Sequence, residues 1–246
     1  MNAQLRPRPA PALPAAHPQW EKLDLAALLA LPTAYLAIGY ANNILSPQGA
    51  NAHERLWERG RLPGGSICNS IKLVQACREA GNRIFWTRRP YHFRDSRENT
   101  PQSPMDKVQS EYSSSRYAGW SEEQKQDDWR LAKEIAALMR PEDTEIYYTT
   151  VGNPFLGTML SAYLNMSGIR TVLLSGYHLD WCVEQATRAC RDMGYMPVVV
   201  GDAGGCADEA DEAPTLARLA RYFAPVVSTD RAIELMRAGA ARRDRG

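Results

Sequence analysis

Short apolar runs alternate with segments of helical period from residue 34 onward. Six runs have the length and composition of buried strands: AYLAIG (34–39), RIFWT (83–87), EIYYTT (145–150), TVLLSG (171–176), PVVVGD (197–202) and PVVS (225–228). Repeated βα units of this kind form a parallel sheet that helices cover on both faces. The pattern therefore predicts an α/β protein with a three-layer, Rossmann-like fold and a central parallel sheet of about six strands.

Segments with the helical period lie between these runs. A helix is predicted over residues 67–81, and a second over residues 121–140, where Ser121 and Gln124 have the spacing of a capping box. Two further helices are predicted, over residues 156–166 and from about residue 180. In open parallel sheets the ligand crevice lies beyond the carboxyl ends of the strands, so residues that directly follow the strands are site candidates.

Two segments fall outside this pattern. Residues 1–20 are rich in Pro and Ala and predict a flexible tail, whereas residues 90–119 show neither the strand period nor the helix period. A long segment of the second kind inside a compact domain is typically a lid or an oligomer arm. Residues 21–240 have the length of one domain, so we expect a single domain with one active site and an inserted lid or arm.

Composition narrows the class of partner. The 246 residues carry a net charge of +1 and lack the basic excess of a nucleic-acid-binding protein. The apolar run AALLALPTAYLAIGYA is interrupted by Pro32 and is too short to span a membrane. Five cysteines and four histidines show no paired ligand spacing, which argues against a zinc site and a disulfide framework. We expect a cytoplasmic protein that acts on a small molecule without a cofactor and binds neither nucleic acid nor membrane.

Cys182 lies in SGYHLDWCVEQATRAC (175–190), between the fourth predicted strand and a predicted helix. A thiol in the first helical turn is close to the positive end of the helix dipole and to free backbone amides, which favour the thiolate. Asp180 has the position of the N-cap residue of this helix. Cys182 is therefore either a nucleophile or, as is common for a lone cysteine, a buried small apolar residue.

The same region is similar to the nucleophile segment of the isochorismatase-like cysteine hydrolases. The matching positions are Gly176, Cys182, Val183, Gly194, Tyr195, Asp202 and Ala203, and a second segment agrees at Phe155, Thr158, Leu160 and Gly168. The resemblance covers roughly residues 33–230. It implies hydrolysis of an amide or similar C–N bond of a small molecule through a thioester on Cys182, and a homo-oligomer.

The family pairs this cysteine with an Asp at the end of the first strand, which acts as general base, and with a Lys at the end of the third. This chain has Gly39 and Thr149 at those positions. Leu179 stands where the family commonly has Thr, in a turn that often contains a non-proline cis peptide. The resemblance therefore implies a retained nucleophile without its usual base and its usual positive charge.

Other residues near the strand ends are candidate replacements. His178 is the first choice for the base and His92 the second, because a His beside a Cys is the commonest activating pair, although a solvated or backbone-bonded turn histidine explains His178 equally well. Arg88 offers a positive charge, unless it is a plain surface residue. The predicted catalytic residues are Cys182 and His178, and the predicted substrate contacts are Asn42, Asn43, Arg88, His92, Thr149, Phe155 and Leu179.

Two functions follow from these features. The first is a cysteine hydrolase with Cys182 as nucleophile and a non-standard base. The second is a family member with a degenerate triad that has no hydrolase activity and serves as a small-molecule-binding or assembly protein. The retained Cys182 favours the first function, and Gly39 and Thr149 favour the second.

Overall fold

A computed structural model describes residues 8–88, 104–147 and 152–243. Six parallel strands form one sheet in the order β3-β2-β1-β4-β5-β6, which confirms the predicted fold class. The strands are β1 (Thr33–Ile38), β2 (Arg83–Arg88), β3 (Thr144–Tyr147), β4 (Thr171–Gly176), β5 (Met196–Val200) and β6 (Val226–Val227). From β1 the strands β2 and β3 extend the sheet toward one edge, and β4, β5 and β6 extend it toward the other. Open α/β sheets bind their ligands at such a switch in strand order, which lies here between β1 and β4.

Helices cover both faces of the sheet. In the described residues they are α1 (Leu25–Ala30), α2 (Asn42–Leu45), α3 (Leu56–Arg59), α4 (Ser66–Glu79), α5 (Pro104–Ser115), α6 (Glu122–Asp128), α7 (Lys133–Ala136), α8 (Leu160–Met166), α9 (Glu184–Asp192), α10 (Glu209–Tyr222) and α11 (Thr229–Arg243). Alternate residues of β1 enter two separate cores: Tyr35 packs with residues of α1, α4 and α11, whereas Leu36 packs with residues of α8, α9 and α10. Cys182 belongs to the second core.

The predicted helix over residues 121–140 is interrupted. The capping box of Ser121 is present, but α6 ends at Asp128 and α7 begins only at Lys133. Between them the chain runs antiparallel to the segment after β1: Leu131 forms a bridge with Ala41, and its neighbour Ala132 donates from its backbone N–H to the Tyr40 carbonyl over 2.9 Å. Backbone pairing with a distant segment outweighs the local helical period, so the prediction of one helix was wrong.

Part of the expected lid or arm is helical. Residues 104–115 form α5, although the pattern predicted no regular structure there, and residues 90–103 lie outside the described residues. After α5, the Tyr117 hydroxyl donates to the buried carboxylate of Asp128 over 2.7 Å. Burial raises the pKa of Asp128. The C-terminal end of the insert is thereby attached to α6, close to the segment that follows β1.

The described part of the N-terminal segment is not a free tail. The Leu13 side chain is packed where a side chain on Gly201 would otherwise lie, and the Trp20 indole N–H donates to the Ala220 carbonyl of α10 over 2.5 Å. The Arg191 guanidinium lies 5.4 Å from the centre of the Trp20 ring. Residues 8–20 belong to the segment that the sequence predicts as a flexible tail, and in the structure Leu13 and Trp20 contact the end of β5 and the side of α10.

A buried group of hydroxyls connects the carboxyl ends of β1 and β4 to α4. The Tyr40 hydroxyl lies 2.8 Å from Ser70 Oγ and 3.0 Å from Ser175 Oγ. The Tyr177 hydroxyl lies 2.6 Å from Ser66 Oγ. Because buried hydroxyls need partners, these bonds restrict the positions of the segments that follow both strands.

Asp143 connects β3 to β2 and α4. Its carboxylate accepts two hydrogen bonds from Arg78, of 2.8 and 2.7 Å, and one of 2.9 Å from the Trp86 indole N–H. Burial alone would raise the pKa of Asp143, but the hydrogen bonds from Arg78 and Trp86 outweigh it, so the pKa lies below its usual value.

Asp143→Asn is expected to lower the free energy of unfolding by about 2 kcal/mol at pH 7, because hydrogen bonds to a charged group are lost. A carboxyl whose pKa is lowered by folding stabilises the protein above its unfolded pKa, and this contribution disappears as the pH falls through the lower folded pKa. Urea unfolding of both proteins at several pH values checks this. The difference between them should shrink below about pH 4, and a difference independent of pH would contradict an ionic role for Asp143.

Candidate functional site

Glycines allow the backbone segments to meet closely at the carboxyl ends of β1 and β4. Gly39 follows β1 with a φ of +70°, and a Cβ there would overlap the carbonyl oxygen of Tyr177. Gly176 ends β4 with a φ of +130°, and a Cβ there would overlap the carbonyl oxygen of Ile38. The floor of the crevice is therefore formed by backbone, and the position after β1 has no room for a side chain.

Cys182 lies on a single π-helical turn, Leu179–Val183, that leads directly into α9. A cis peptide bond joins Tyr177 and His178 immediately before this turn. The Cys182 residue is 9% exposed, at the boundary between the core and the surface. Its place in the first turn after β4 is the one that the sequence predicted.

Asp180 does not have the predicted capping role. The turn begins two residues earlier than expected, so His178 takes the cap position and Asp180 lies exposed within the first turn. The Asp180 carboxylate lies beside the fully buried thiol of Cys206. Burial raises the pKa of Cys206, and the charge of Asp180 adds to this effect.

His178 is paired with a residue that the sequence did not single out. Its Nε2 atom lies 2.7 Å from Oε2 of Glu54, and both side chains are buried, at 11% and 9% exposure. The His178 ring also lies nearly parallel to the Trp181 ring, with 6.4 Å between the ring centres and 11° between the planes. In the described part of the chain, the His178 ring is therefore hydrogen-bonded to the Glu54 carboxylate and is neither solvated nor bonded to backbone.

Glu54 also borders a surface cavity. The cavity has a volume of about 470 Å³ and is lined by His53, Glu54, Arg55, Ala207, Asp208 and Glu209. The lining consists mostly of charged side chains of both signs. The Glu54 carboxylate thus contacts the buried imidazole of His178 and also borders a polar depression that is open to solvent.

Two predicted substrate contacts lie in the apolar core. Leu179 is fully buried, and its backbone N–H donates to the Gly205 carbonyl over 3.0 Å. Phe155 is 4% exposed, and its ring centre lies 6.3 Å from that of Tyr195. The structure does not support the predicted substrate role of these two side chains, because packing already occupies both.

The two asparagines after β1 have different surroundings. The Asn42 side chain donates to the Asp127 carbonyl over 2.9 Å, which explains it structurally. Asn43 is 6% exposed, and its Oδ1 atom is buried without a hydrogen-bond partner in the part of the chain that the structure describes. A buried acceptor without a partner is unfavourable, so Asn43 stays a candidate for contact with a substrate N–H.

Arg88 does not supply the expected positive charge beside Cys182. Its guanidinium donates to Glu145 over 2.5 Å and lies 5.6 Å from the centre of the Tyr147 ring. Because side chains alternate along a strand, Arg88 lies on the same face of the sheet as Trp86, opposite the core that contains Cys182. His92 and Thr149, the other two predicted contacts, lie outside the described residues.

Neither a metal-binding cluster nor a membrane-spanning helix occurs among the described residues. No three His, Cys, Asp or Glu side chains among them are placed to hold a metal ion. No helix of this part of the chain combines the length and the apolar character needed to cross a membrane.

A six-stranded parallel sheet with a cysteine in the first turn after its fourth strand defines the α/β class to which the cysteine hydrolases belong. The Isochorismatase domain matches residues 40–231 of the chain, more than half of its length. The chain belongs to the isochorismatase family, as its sequence motifs predicted.

Individual relatives agree with this assignment. The uncharacterized isochorismatase family protein YrdC of Bacillus subtilis (strain 168) is 32% identical in an alignment of 111 positions that covers 40% of this chain. The match spans only 59% of the length of YrdC.

Solved structures of the family share the fold. A cysteine hydrolase from Pseudomonas syringae pv. phaseolicola 1448A has a TM-score of 0.66 at 17% identity, over 92% of this chain and 98% of that one. Nicotinamidase PncA from Bacillus subtilis has a TM-score of 0.56 at 16% identity, over 80% and 100% of the two chains. N-carbamoylsarcosine amidase from Thermoplasma acidophilum has a TM-score of 0.57 at 18% identity, over 81% and 98%. At these identities the likeness shows the fold alone.

Proposed function

We propose that this protein is a hydrolase that cleaves an amide or similar C–N bond of a small molecule, with Cys182 as the nucleophile and His178 as the general base. The observation that carries the proposal is the turn after β4, which contains Cys182 and a buried imidazole paired with Glu54. A weakly acidic thiol needs such a base, and the first helical turn favours the thiolate. The nicotinamidase and the N-carbamoylsarcosine amidase of similar fold make C–N cleavage the reaction to test first.

The reaction would proceed in two steps. In the first, His178 takes the thiol proton, the Cys182 sulfur bonds to the substrate carbonyl carbon, and the C–N bond breaks as the leaving nitrogen receives that proton. In the second, His178 takes a proton from water, the hydroxide attacks the thioester carbon, and the C–S bond breaks to release the acid and restore the thiol. The buried Oδ1 of Asn43 could accept a hydrogen bond from the substrate amide.

The base must differ from that of the family pattern because of Gly39. A carboxylate at this position would need a side chain where the Tyr177 carbonyl oxygen lies, and it would need the left-handed backbone conformation that favours glycine. The Glu54–His178 pair is instead connected to the turn of Cys182 through His178, which caps that turn. We therefore propose that it replaces the missing Asp.

The second candidate is a member of the family without hydrolase activity, in which the crevice only binds a small molecule or the chain acts in assembly. Gly39 favours this function, because the backbone around Gly39 leaves no room for the side chain of the family's Asp base. Arg88, which is bound to Glu145, does not replace the missing Lys.

Alkylation of Cys182 by iodoacetamide separates the two candidates without knowledge of the substrate. With His178 as base, the rate should reach half its maximum below about pH 7, and His178→Ala should move this midpoint toward about pH 8.5, the value of a free thiol. Peptide mass spectrometry should locate the adduct, because the half-buried thiol of Cys68 is also accessible to the reagent, and Cys182→Ala serves as the blank. A wild-type midpoint near 8.5 would refute the activated thiol and favour the binding function.

The remaining expectations are proposals of the same kind. A domain over 21–240 with a lid or arm at 90–119, a cytoplasmic location and a homo-oligomer are all compatible with the fold. An exposed apolar face supports the oligomer: Leu156, Met159, Tyr163 and Met166 follow one side of α8 and the turn before it. No charged residue occurs between residues 146 and 169, so two copies of this face would meet without charge repulsion.

A further inference from the structure

We infer that Glu54 is a positioning residue that fixes the His178 ring and stabilises its charged form while His178 holds the proton of Cys182. This inference rests on the proposed function and adds to it a residue that neither the sequence pattern nor the family pattern indicates. Its basis is the buried 2.7 Å contact between Glu54 Oε2 and His178 Nε2.

The contact determines which ring nitrogen can act as a base. An ionised Glu54 can only accept a hydrogen bond, so Nε2 must carry the hydrogen and Nδ1 keeps its lone pair. When Nδ1 takes a proton, the ring becomes positively charged, and the attraction between opposite charges is added to its hydrogen bond with the Glu54 carboxylate. The pair therefore gives His178 one reactive nitrogen and favours proton transfer to it.

The chain holds Glu54 rigidly in place for this role. Glu54 ends the short 3₁₀ turn Ala52–Glu54, and Arg55 directly after it has a φ of 55°, in the left-handed region that is unfavourable for a side chain larger than glycine. A backbone in an unfavourable conformation persists only where its surroundings hold it, so the position of Glu54 is well determined.

The turn of His178 is held by the same region of the protein. The Gly205 carbonyl accepts the N–H of Leu179, and next to it the Cys206 carbonyl accepts a hydrogen bond of 2.6 Å from the buried guanidinium of Arg59. Arg59 lies on α3, four residues after Arg55. Both members of the pair are thus attached to one structural unit, which limits how far they can separate.

Other charged groups surround the pair. His53, Arg55, Asp208 and Glu209 line the cavity beside Glu54, and Asp180 lies on the turn of His178. The Arg55 side chain is engaged by Glu58, and Asp208 accepts a hydrogen bond of 2.9 Å from the Ala210 backbone at the start of α10. In the described residues, the ion pair of the His178 ring is with Glu54.

The test compares Cys182 alkylation rates and their pH profiles in Glu54→Gln and Glu54→Asp, with Glu58→Gln as the matched control. Glu58 lies on the adjacent turn and pairs with Arg55, so its change removes a nearby charge but leaves His178 alone. Glu54→Gln should slow alkylation at pH 7 about tenfold and move the midpoint to higher pH, because the imidazolium loses its counter-charge. Glu54→Asp, which keeps the charge, should lie between Glu54→Gln and the wild type.

The double variant Glu54→Gln with His178→Ala shows whether Glu54 acts through the histidine. Its alkylation rate should be no slower than that of His178→Ala alone, because the effects of two residues that act through the same proton transfer do not add. An unchanged rate in Glu54→Gln beside a slow His178→Ala would overturn the role of Glu54 and leave the base in place. An unchanged alkylation rate in His178→Ala would instead refute His178 as the base, and the role of Glu54 would be refuted with it.

A spectroscopic measurement on the wild type does not depend on the stability of the variants. In ¹⁵N-labelled histidine spectra, the His178 signal, assigned by its loss in His178→Ala, should show the neutral ring with its hydrogen on Nε2. A hydrogen on Nδ1 would overturn the inference, because Nδ1 could then not act as the base.

Discussion

Arg59→Ala should lower the free energy of unfolding by about 3–5 kcal/mol, because it leaves a buried carboxylate without its counter-charge. Arg59 and Glu212 are both almost fully buried, and their side chains form an ion pair between α3 and α10. Glu212 also accepts a hydrogen bond of 3.3 Å from the Cys206 backbone. The guanidinium of Arg8, 4.0 Å from the second oxygen, is too exposed to compensate the loss.

Urea unfolding of the wild type and of Arg59→Ala at pH 7 measures this loss. Arg55→Ala, which breaks the exposed pair with Glu58, is the control and should leave the unfolding midpoint almost unchanged. Burial raises the pKa of Glu212, so acidification protonates it readily and should reduce the loss in Arg59→Ala.

A double replacement distinguishes the charge effect from the packing effect. Arg59→Met with Glu212→Met should be more stable than Arg59→Met alone, since a buried pair exchanged for apolar side chains leaves no isolated charge. A double variant that is less stable than the single variant would show that packing and the hydrogen bond from the Cys206 N–H to Glu212, rather than the isolated charge, dominate. Both variants lack the hydrogen bond from Arg59 to the Cys206 carbonyl, so both should also loosen the segment that holds the turn of His178.

Gly39→Asp, which restores the residue of the family pattern, should destabilise the protein by about 3 kcal/mol or more and should not accelerate alkylation of Cys182. Two costs add at this position. The φ of +70° is unfavourable for any side chain, and the new Cβ would overlap the Tyr177 carbonyl oxygen at the crevice floor. Relief of the overlap would move the backbone that carries His178, so the added carboxylate would disturb the base.

Gly39→Ala and Gly81→Ala separate the two costs by thermal or urea unfolding. Gly81 has a φ of +71°, nearly that of Gly39, but a Cβ there would meet no atom within 4 Å. Gly81→Ala should therefore cost about 1 kcal/mol, the conformational cost alone. Equal losses at the two positions would argue against the overlap, and a stable Gly39→Asp with faster alkylation would show that the site still accepts the family base.

The sheet could be predicted because its central strands β1, β4 and β5 are almost entirely buried and are therefore largely apolar. Even the boundaries of β2 and β4 differ from the predicted runs by at most one residue. The break between α6 and α7 could not be predicted in this way, because Ala132 and Ala136 continue the helical period. What ends α6 is the pairing of Leu131 with Ala41, which depends on residues about 90 positions apart and leaves no local pattern.

The candidate site was predicted in part for the same reason. Cys182 and His178 follow an obvious strand, so the topology alone places them at the crevice. Glu54 follows no strand, and the segment NAHER around it has the composition of a solvated loop. A buried charged residue needs a partner, so the burial of Glu54 would have pointed to its pairing with His178. That burial is set by the fold and not by the residues next to Glu54 in the sequence, so the sequence did not reveal it.

The packing of residues 8–20 shows that the unit that folds is larger than the unit that resembles the family. The family match begins at residue 40, after β1, the strand that joins β2 and β3 to the other three strands. A recombinant version trimmed to the matched residues would lose this strand together with the cover that Leu13 and Trp20 provide over β5 and α10. The residues matched by the family are therefore the minimum that an expressed fragment must contain. A fragment that folds must begin well before residue 40, where the match begins.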